Sequence, residues 1–407
     1  MHAIWQRFGT GAWLTLSRIR SYSIIVLIVY CVASALWIAS AHNLVDRNNK
    51  PIGTDFSNVY AAGILADTGK PEAAYDWPSE HTVEQSLFGQ DTPFFGWHYP
   101  PQFLMVAAVL AFVSYGWALA LWMVTTLSAY VVTIRAILPQ SVAVLAALAY
   151  PAVFVNLGHG QNGFLTAALL GGALVLMDRR PVVSGVLIGL LAYKPQFGVL
   201  LPVVLIASGR WTVVGAAVCT VFVTCVATLA LFGTKVWIAF EASAGLTRRI
   251  VLEEGSTGWE KIQSAFSAVR MWGGSVDLAY AVQGALALSV AAGLVWLWRS
   301  EASFDLKGSA LAVSALLTTP YVLDYDLMLL AVAIAFYVRH GLARGFQHFE
   351  ISLLAFVWIV PLFSRPLAGV TGIPLGLIAQ VVLLVVVFRR AWREVSPSQG
   401  GVLLVPA

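Results

Sequence analysis

The chain has 407 residues, of which 59% are hydrophobic and 11% charged, and its mean hydropathy is +0.80. Charged residues run near a quarter of a soluble globular protein, so that class is excluded and an all-α polytopic membrane protein is indicated. The formal charge of +4 arises from 24 Lys and Arg scattered between apolar runs, which is the pattern of a positive-inside bias and offers no basic patch for nucleic acid.

Arg7, Arg18 and Arg20 precede an apolar run from Tyr22 to Ala41 that ends in Ala39-Ser40-Ala41, a sequence similar to a signal-peptidase site. The run is too long for a signal-peptide core and further apolar runs follow, so it reads as a retained first helix whose start is cytoplasmic. Next comes a mostly polar stretch, and residues 42–115 are expected to form a first external loop with interfacial helices. Its last segment, Pro101 to Val113, opens with Pro100-Pro101 and is only thirteen residues long, whereas a span needs about twenty. If it crossed the bilayer, Arg179-Arg180, Arg210, Arg339 with Arg344, and Arg389-Arg390 would all be external. The positive-inside rule therefore selects an interfacial or re-entrant helix here.

Spans are then expected at 116–137, 141–157, 162–177, 182–193, 197–208, 211–232, 276–298, 308–320, 326–338, 350–363 and 374–388, which with the first helix makes about 12. The whole of 1–407 is read as one integral membrane domain with both termini inside, and 233–275 as a second external loop carrying Lys235, Arg248, Arg249, Glu253, Glu254, Lys261 and Arg270. Several runs are broken by polar, Pro-containing turns, at Lys194-Pro195-Gln196 and from Thr319-Pro320 to Asp326. Non-helical backbone at such depth persists only where protein or a water-filled cavity satisfies it. Cys31, Cys219 and Cys225 all lie inside apolar runs, so neither a disulfide framework nor a thiolate metal site is implied. The histidines at 2, 42, 81, 159, 340 and 348 show no ligand spacing. No metal site and no cofactor is expected.

This threading, chosen from short-loop Lys and Arg alone, brings Asp55, His98, the turn Gly158 to Gly163, Lys194, Asp324 and Asp326 to the outer face. Ionisable groups near membrane depth are costly unless they line a site. Each also has a plainer reading. Asp55 either caps the helix beginning near Ser57 or does chemistry. His98 and Tyr99, closing the aromatic stretch from Phe94, either belong to an interfacial belt or contact a ligand. Gln161 and Asn162 either satisfy a tight turn or bind substrate. Lys194, in a Pro-broken turn, calls for an anionic partner. Asp324 and Asp326 either pair with that lysine or a loop arginine, or touch substrate. Arg248-Arg249 is either a lipid-headgroup pair or a clamp on an anion.

Five segments taken in order resemble glycosyltransferase family 87: GTDFSNVYAAG around Asp55, the aromatic stretch ending in Tyr99-Pro100-Pro101, the turn Gly160-Gln161-Asn162, GVLIGLLAYKPQ from Gly185 to Gln196, and TPYVLDYDL from Thr319 to Leu327. The resemblance runs from about residue 50 to 330. It implies a GT-C fold and a polyprenyl-phosphate sugar such as mannose as donor, with a glycan, glycolipid or other hydroxyl acceptor and membrane lipids as further partners. It also implies a bacterial inner (plasma) membrane protein whose active site faces the periplasm or exterior. Asp55 falls at the family's catalytic carboxylate, and Lys194, Arg248 and Arg249 become candidates for the donor phosphate. Tyr99, His98, Gln161, Asn162, Asp324 and Asp326 become candidates for substrate contact. Family members often carry a histidine in the late broken turn, and Tyr321 to Asp326 contains none.

The chemistry asks for little more. A polyprenyl phosphate is already a good leaving group, so a single carboxylate that takes the hydroxyl proton suffices, unlike the carboxylate pair of glycoside hydrolysis. Direct displacement would invert the anomeric centre. The rival from another class is a secondary transporter or lipid-linked sugar flippase, which also uses broken helices, but its site lies at mid-membrane whereas these groups gather at one face. A non-catalytic assembly subunit is a third reading, under which losing Asp55 costs nothing.

Overall fold

The computed structural model describes residues 2–396, and among them the chain is all helical apart from isolated bridges at His42–Val45, Val45–Pro51 and Ile262–Leu323. Among the described residues seven helices are long and apolar enough to cross a membrane, and an eighth crossing is available if the bent pair Ser141–Leu148 and Pro151–His159 counts as one. Pro151 explains that 47° break, since its ring clashes with the preceding turn and removes a hydrogen-bond donor. The expected twelve are not reached by helix length. The runs expected as spans near 162–177, 182–193, 197–208 and 308–320 form helices of 14, 10, 8 and 14 residues, well short of about twenty.

Ends also shift for physical reasons. The first spanning helix, Leu16–Ala39, starts ahead of its apolar run because the Thr15 hydroxyl accepts from Arg18 N–H and caps it. The helix Glu350–Thr371 continues through Pro361 and Pro366 and so runs past the expected end at 363.

Burial sorts the helices. Leu16–Ala39 and Trp211–Phe232 turn Ile25, Ile28, Val32, Leu36, Val218, Phe222 and Leu231 outward, a surface that only lipid can cover at low cost. Phe304–Leu317 and Met328–Arg344 are buried along most of their length and form the centre. The first loop is itself structured. Its helix Phe56–Asp67 lies directly on Pro101–Ala111, where a Cβ on Gly63 would stand 2.2 Å from the Ala107 carbonyl oxygen. Only glycine permits that approach. The second loop contributes Lys235–Thr247, a π-helical turn Arg248–Glu253, and Ala265–Met271. The Ile262–Leu323 bridge and the Gln263 N–H bond to Val322 O, 2.7 Å, tie this loop to the late broken turn.

Candidate active site

Asp55 precedes the helix Phe56–Asp67 in a helical conformation and makes no side-chain cap bond. Its carboxylate is committed elsewhere. Gln161 Nε2 donates to Oδ2 at 2.9 Å, Lys261 Nζ lies 3.8 Å from Oδ2, and His159 Nδ1 lies 3.9 Å from Oδ1. Burial would raise this carboxyl, but Lys261, His159, the Gln161 hydrogen bond and Arg365 together hold it below its ordinary range. An ionised carboxylate therefore stands at neutral pH with no hydrogen-bond donor on Oδ1 among the described residues.

The turn that presents Gln161 exists because of Gly160, which ends the helix Pro151–His159 with φ +61°. A Cβ there would meet the Phe56 Cβ at 2.5 Å and the Gly53 carbonyl oxygen at 2.9 Å, so a glycine alone satisfies both the left-handed backbone and the contact with the Asp55 segment. From Gln161 a hydrogen-bonded chain continues through two further buried side chains. Tyr99 OH donates to Gln161 Oε1 at 3.2 Å, and Asn162 Nδ2 donates to Tyr99 OH at 2.7 Å. Asn162 Oδ1 is buried without a partner among the described residues. Asn156 stitches this turn to the late one: its Oδ1 accepts from Gly163 N–H and its Nδ2 donates to Tyr325 O, both at 2.9 Å.

In the late turn, Asp326 accepts from Leu323 N–H at 3.0 Å and from Lys194 Nζ at 2.6 Å, with both side chains buried. The Lys194 ammonium also lies 4.9 Å from the centre of the Tyr325 ring. Lys194 thus has its anionic partner within the protein. Asp324 faces Arg365, 3.7 Å away. Lys261, whose ammonium is 5.7 Å from the same Tyr325 ring, is the cation that approaches Asp55.

His98 sits apart from this chain. Its Nδ1 is 2.9 Å from the Thr247 hydroxyl, and burial pushes it down to about 4, so it is neutral. Arg248 and Arg249 point to Glu253 and Glu254 and are 68% and 74% exposed at the side chain. They lie outside the Asp55 network. Three members of the site have no role in the linear reading. His159 is dismissed there for want of ligand spacing, although it lies inside the glycine turn and its Nδ1 is 2.8 Å from the Thr54 hydroxyl. Lys261 is one cation among several in a long loop. Arg365 carries the one signal that could have found it, a charge between two prolines within an apolar helix.

No cluster of three or more His, Cys, Asp or Glu suited to a metal ion occurs among the described residues. Comparison with known proteins gives a match of residues 97–320, more than half of the chain, to the family model described as Glycosyltransferase family 87. No curated protein and no solved structure matches.

Proposed function

Since the chain belongs to glycosyltransferase family 87 and is a multi-pass membrane glycosyltransferase, we propose that it moves a sugar, mannose or a similar hexose, from a polyprenyl-phosphate donor to a hydroxyl acceptor, with Asp55 as general base. The observation that carries this reading is the ionised Asp55, fixed on one oxygen by Gln161 and, among the described residues, left without a donor on the other. As the acceptor oxygen bonds to the anomeric carbon, its proton passes to Asp55 and the bond from that carbon to the phosphate oxygen breaks. The polyprenyl phosphate leaves with the electron pair, and attack opposite to it inverts the centre. No acid is required at the leaving oxygen.

The charge that develops on the phosphate calls for fixed cations. Lys261 and Arg365 suit that task, being the positive groups nearest the Asp55 and Asp324 carboxylates. A phosphate that reached Lys194 would have to displace Asp326 from a 2.6 Å contact, so within this reading the Lys194–Asp326 pair shapes the floor of the site. Arg248 and Arg249, exposed at its margin, meet lipid headgroups. In this proposal the fold is of GT-C type, the shorter apolar helices Gly163–Leu176, Pro181–Tyr193 and Pro195–Ala207 complete crossings in combination, and the site opens to the periplasm or exterior of a bacterial plasma membrane. The prenyl chain stays in lipid beside the outward-turned apolar residues.

The test is transfer by purified protein in vesicles from a radiolabelled polyprenyl-phosphate hexose to a panel of lipid and glycan acceptors. Label that reaches an acceptor, with the anomer inverted, supports the proposal. Donor that is carried across the bilayer unconsumed would identify a flippase instead.

A further inference from the structure

The helix Trp77–Phe88 in the first loop carries two carboxylates one turn apart, Glu80 and Glu84, and both are fully buried. No Lys or Arg lies within ion-pair distance of either among the described residues. Two like charges at this spacing repel, and neither could shed the other's field into water. Their partners are unusual. Glu84 Oε1 accepts from the Ser57 hydroxyl at 2.6 Å and Oε2 accepts from Phe95 N–H at 3.1 Å. Glu80 Oε2 accepts from Trp97 N–H at 2.9 Å, while Oε1 has no partner among the described residues.

These donors belong to two parts of the site. Ser57 lies two residues beyond Asp55, at the start of the same helix. Phe95 and Trp97 are alternate residues of the segment that delivers Tyr99 to Gln161 and thereby to Asp55. The same segment is held at its far end by the Tyr75 hydroxyl, which donates to Tyr99 O at 3.0 Å. Both oxygens of Glu84 accept hydrogen bonds, the pattern of an ionised carboxylate, whereas the unpartnered oxygen of Glu80 is a seat for a proton.

We propose that Glu80 and Glu84 are positioning residues for sugar transfer: the pair carries a single proton, on Glu80, and in that state clasps the Phe94–Tyr99 segment to the helix that bears Asp55. The inference rests on the transfer reading above. Adding a second negative charge at alkaline pH drives the two carboxylates apart and loosens the segment, which weakens substrate binding. The surroundings bear on both groups. Burial and the charge of Glu84 push Glu80 well up. Burial raises Glu84 to about 7, with Ser57, Phe95 N–H and the His81 ring of the same helix opposing that rise and Asp55 adding to it. The Tyr115 phenol is the remaining titratable group that feels Glu84, and the Pro71–Tyr75 turn packed on this helix offers Tyr75, whose hydroxyl is already engaged.

Two measurements on the full chain in vesicles decide the matter. The first is infrared. At pH 8 the wild type should show the C=O stretch of a protonated carboxyl that is missing from Glu80→Gln and kept in Glu84→Gln. A spectrum without that band, or a band that Glu80→Gln leaves in place, overturns the shared proton. The reading needs no transfer assay, so it fails separately from the proposed activity. The second is KM for polyprenyl-phosphate hexose against pH. Glu80→Gln keeps an acceptor for Trp97 N–H and mimics the neutral acid, so its KM should stay flat where that of the wild type climbs, with kcat at neutral pH within about twofold. Glu84→Gln keeps an acceptor for Phe95 N–H but replaces two charge-assisted bonds by neutral ones, the Ser57 bond reversing so that Nε2 donates to the hydroxyl oxygen, and should raise KM several-fold at neutral pH. A merely structural role would give Glu80→Gln and wild type the same profile, and that result overturns the positioning role. If neither variant folds, Ser57→Ala takes their place: it should raise KM several-fold at neutral pH, and an unchanged KM has the same overturning force.

Discussion

Asp55→Asn separates the chemical role of this side chain from a structural one, because the two predict effects of different size. The side chain caps nothing, so the change forfeits no cap. Asparagine keeps an oxygen that can accept from Gln161 Nε2, now 2.9 Å away. What is lost is the attraction of Lys261 at 3.8 Å, and because the neutral amide also escapes the cost of burying a charge, the net loss is about 1 kcal/mol. Lys261 retains the Tyr325 ring. Removing a general base, by contrast, costs about 10²–10⁴ in rate, equivalent to roughly 2.7–5.5 kcal/mol in the barrier. The expected outcome is a folded variant, unfolding within a few degrees of wild type, that binds lipid donor normally and turns over at most about one hundredth as fast. Donor binding, thermal unfolding and transfer are to be measured on one preparation. Transfer within a few-fold of wild type would refute the reasoning and remove Asp55 from the reaction.

Lys261→Met should raise KM for the lipid donor. It should also move the acid limb of kcat/KM to higher pH, since the base is active only when ionised and loss of the cation lets burial lift its pKa; a limb that stays put would mean Lys261 does not act on Asp55. Lys194→Met leaves the Asp326 carboxylate buried with Leu323 N–H as its one remaining donor among the described residues, so a loss of about 3–5 kcal/mol in stability is expected, read as thermal unfolding, and a normally stable variant deficient only in donor use would return Lys194 to the phosphate. Gly160→Ala forces a side chain into a left-handed position 2.5 Å from Phe56 and should abolish transfer while the protein still inserts in the membrane. A cysteine at Ser114 in a cysteine-free background should react with an impermeant reagent from the same side as one at Asp91; reaction from the opposite side would show that Pro101–Ala111 spans.

The helical, membrane-embedded character and the identity of Asp55 as a candidate were legible because each rests on local pattern: long apolar runs, a lone carboxylate beside a helix start, and motifs of a few contiguous residues. Helix ends were less so. Thr15 extends the first helix by a cap that hydropathy ignores, and Pro361 and Pro366 interrupt the hydrogen bonds of Glu350–Thr371 without ending it. The count of crossings was least legible, since a run of apolar residues reads alike whether its helix has 14 residues or 22.

The cations nearest Asp55 and Asp324, Lys261 and Arg365, do not stand out in the sequence for a different reason, and it bears on how such a site would work. Lys194 stands out in sequence because it is isolated in an apolar stretch, yet isolation is what forces it to acquire a permanent partner, and Asp326 supplies one at 2.6 Å. Lys261 and Arg365 are less conspicuous and more available. Each sits 3.7–3.8 Å from a carboxylate, longer than a direct hydrogen bond, with side chains 12% and 42% exposed. A cation that must receive a phosphate and release it cannot already be saturated by a buried carboxylate, because breaking such a pair costs several kcal/mol in each cycle. The loosely held charges are therefore the ones suited to a substrate that arrives and leaves, while the tightly held pair fixes the turn on which they converge.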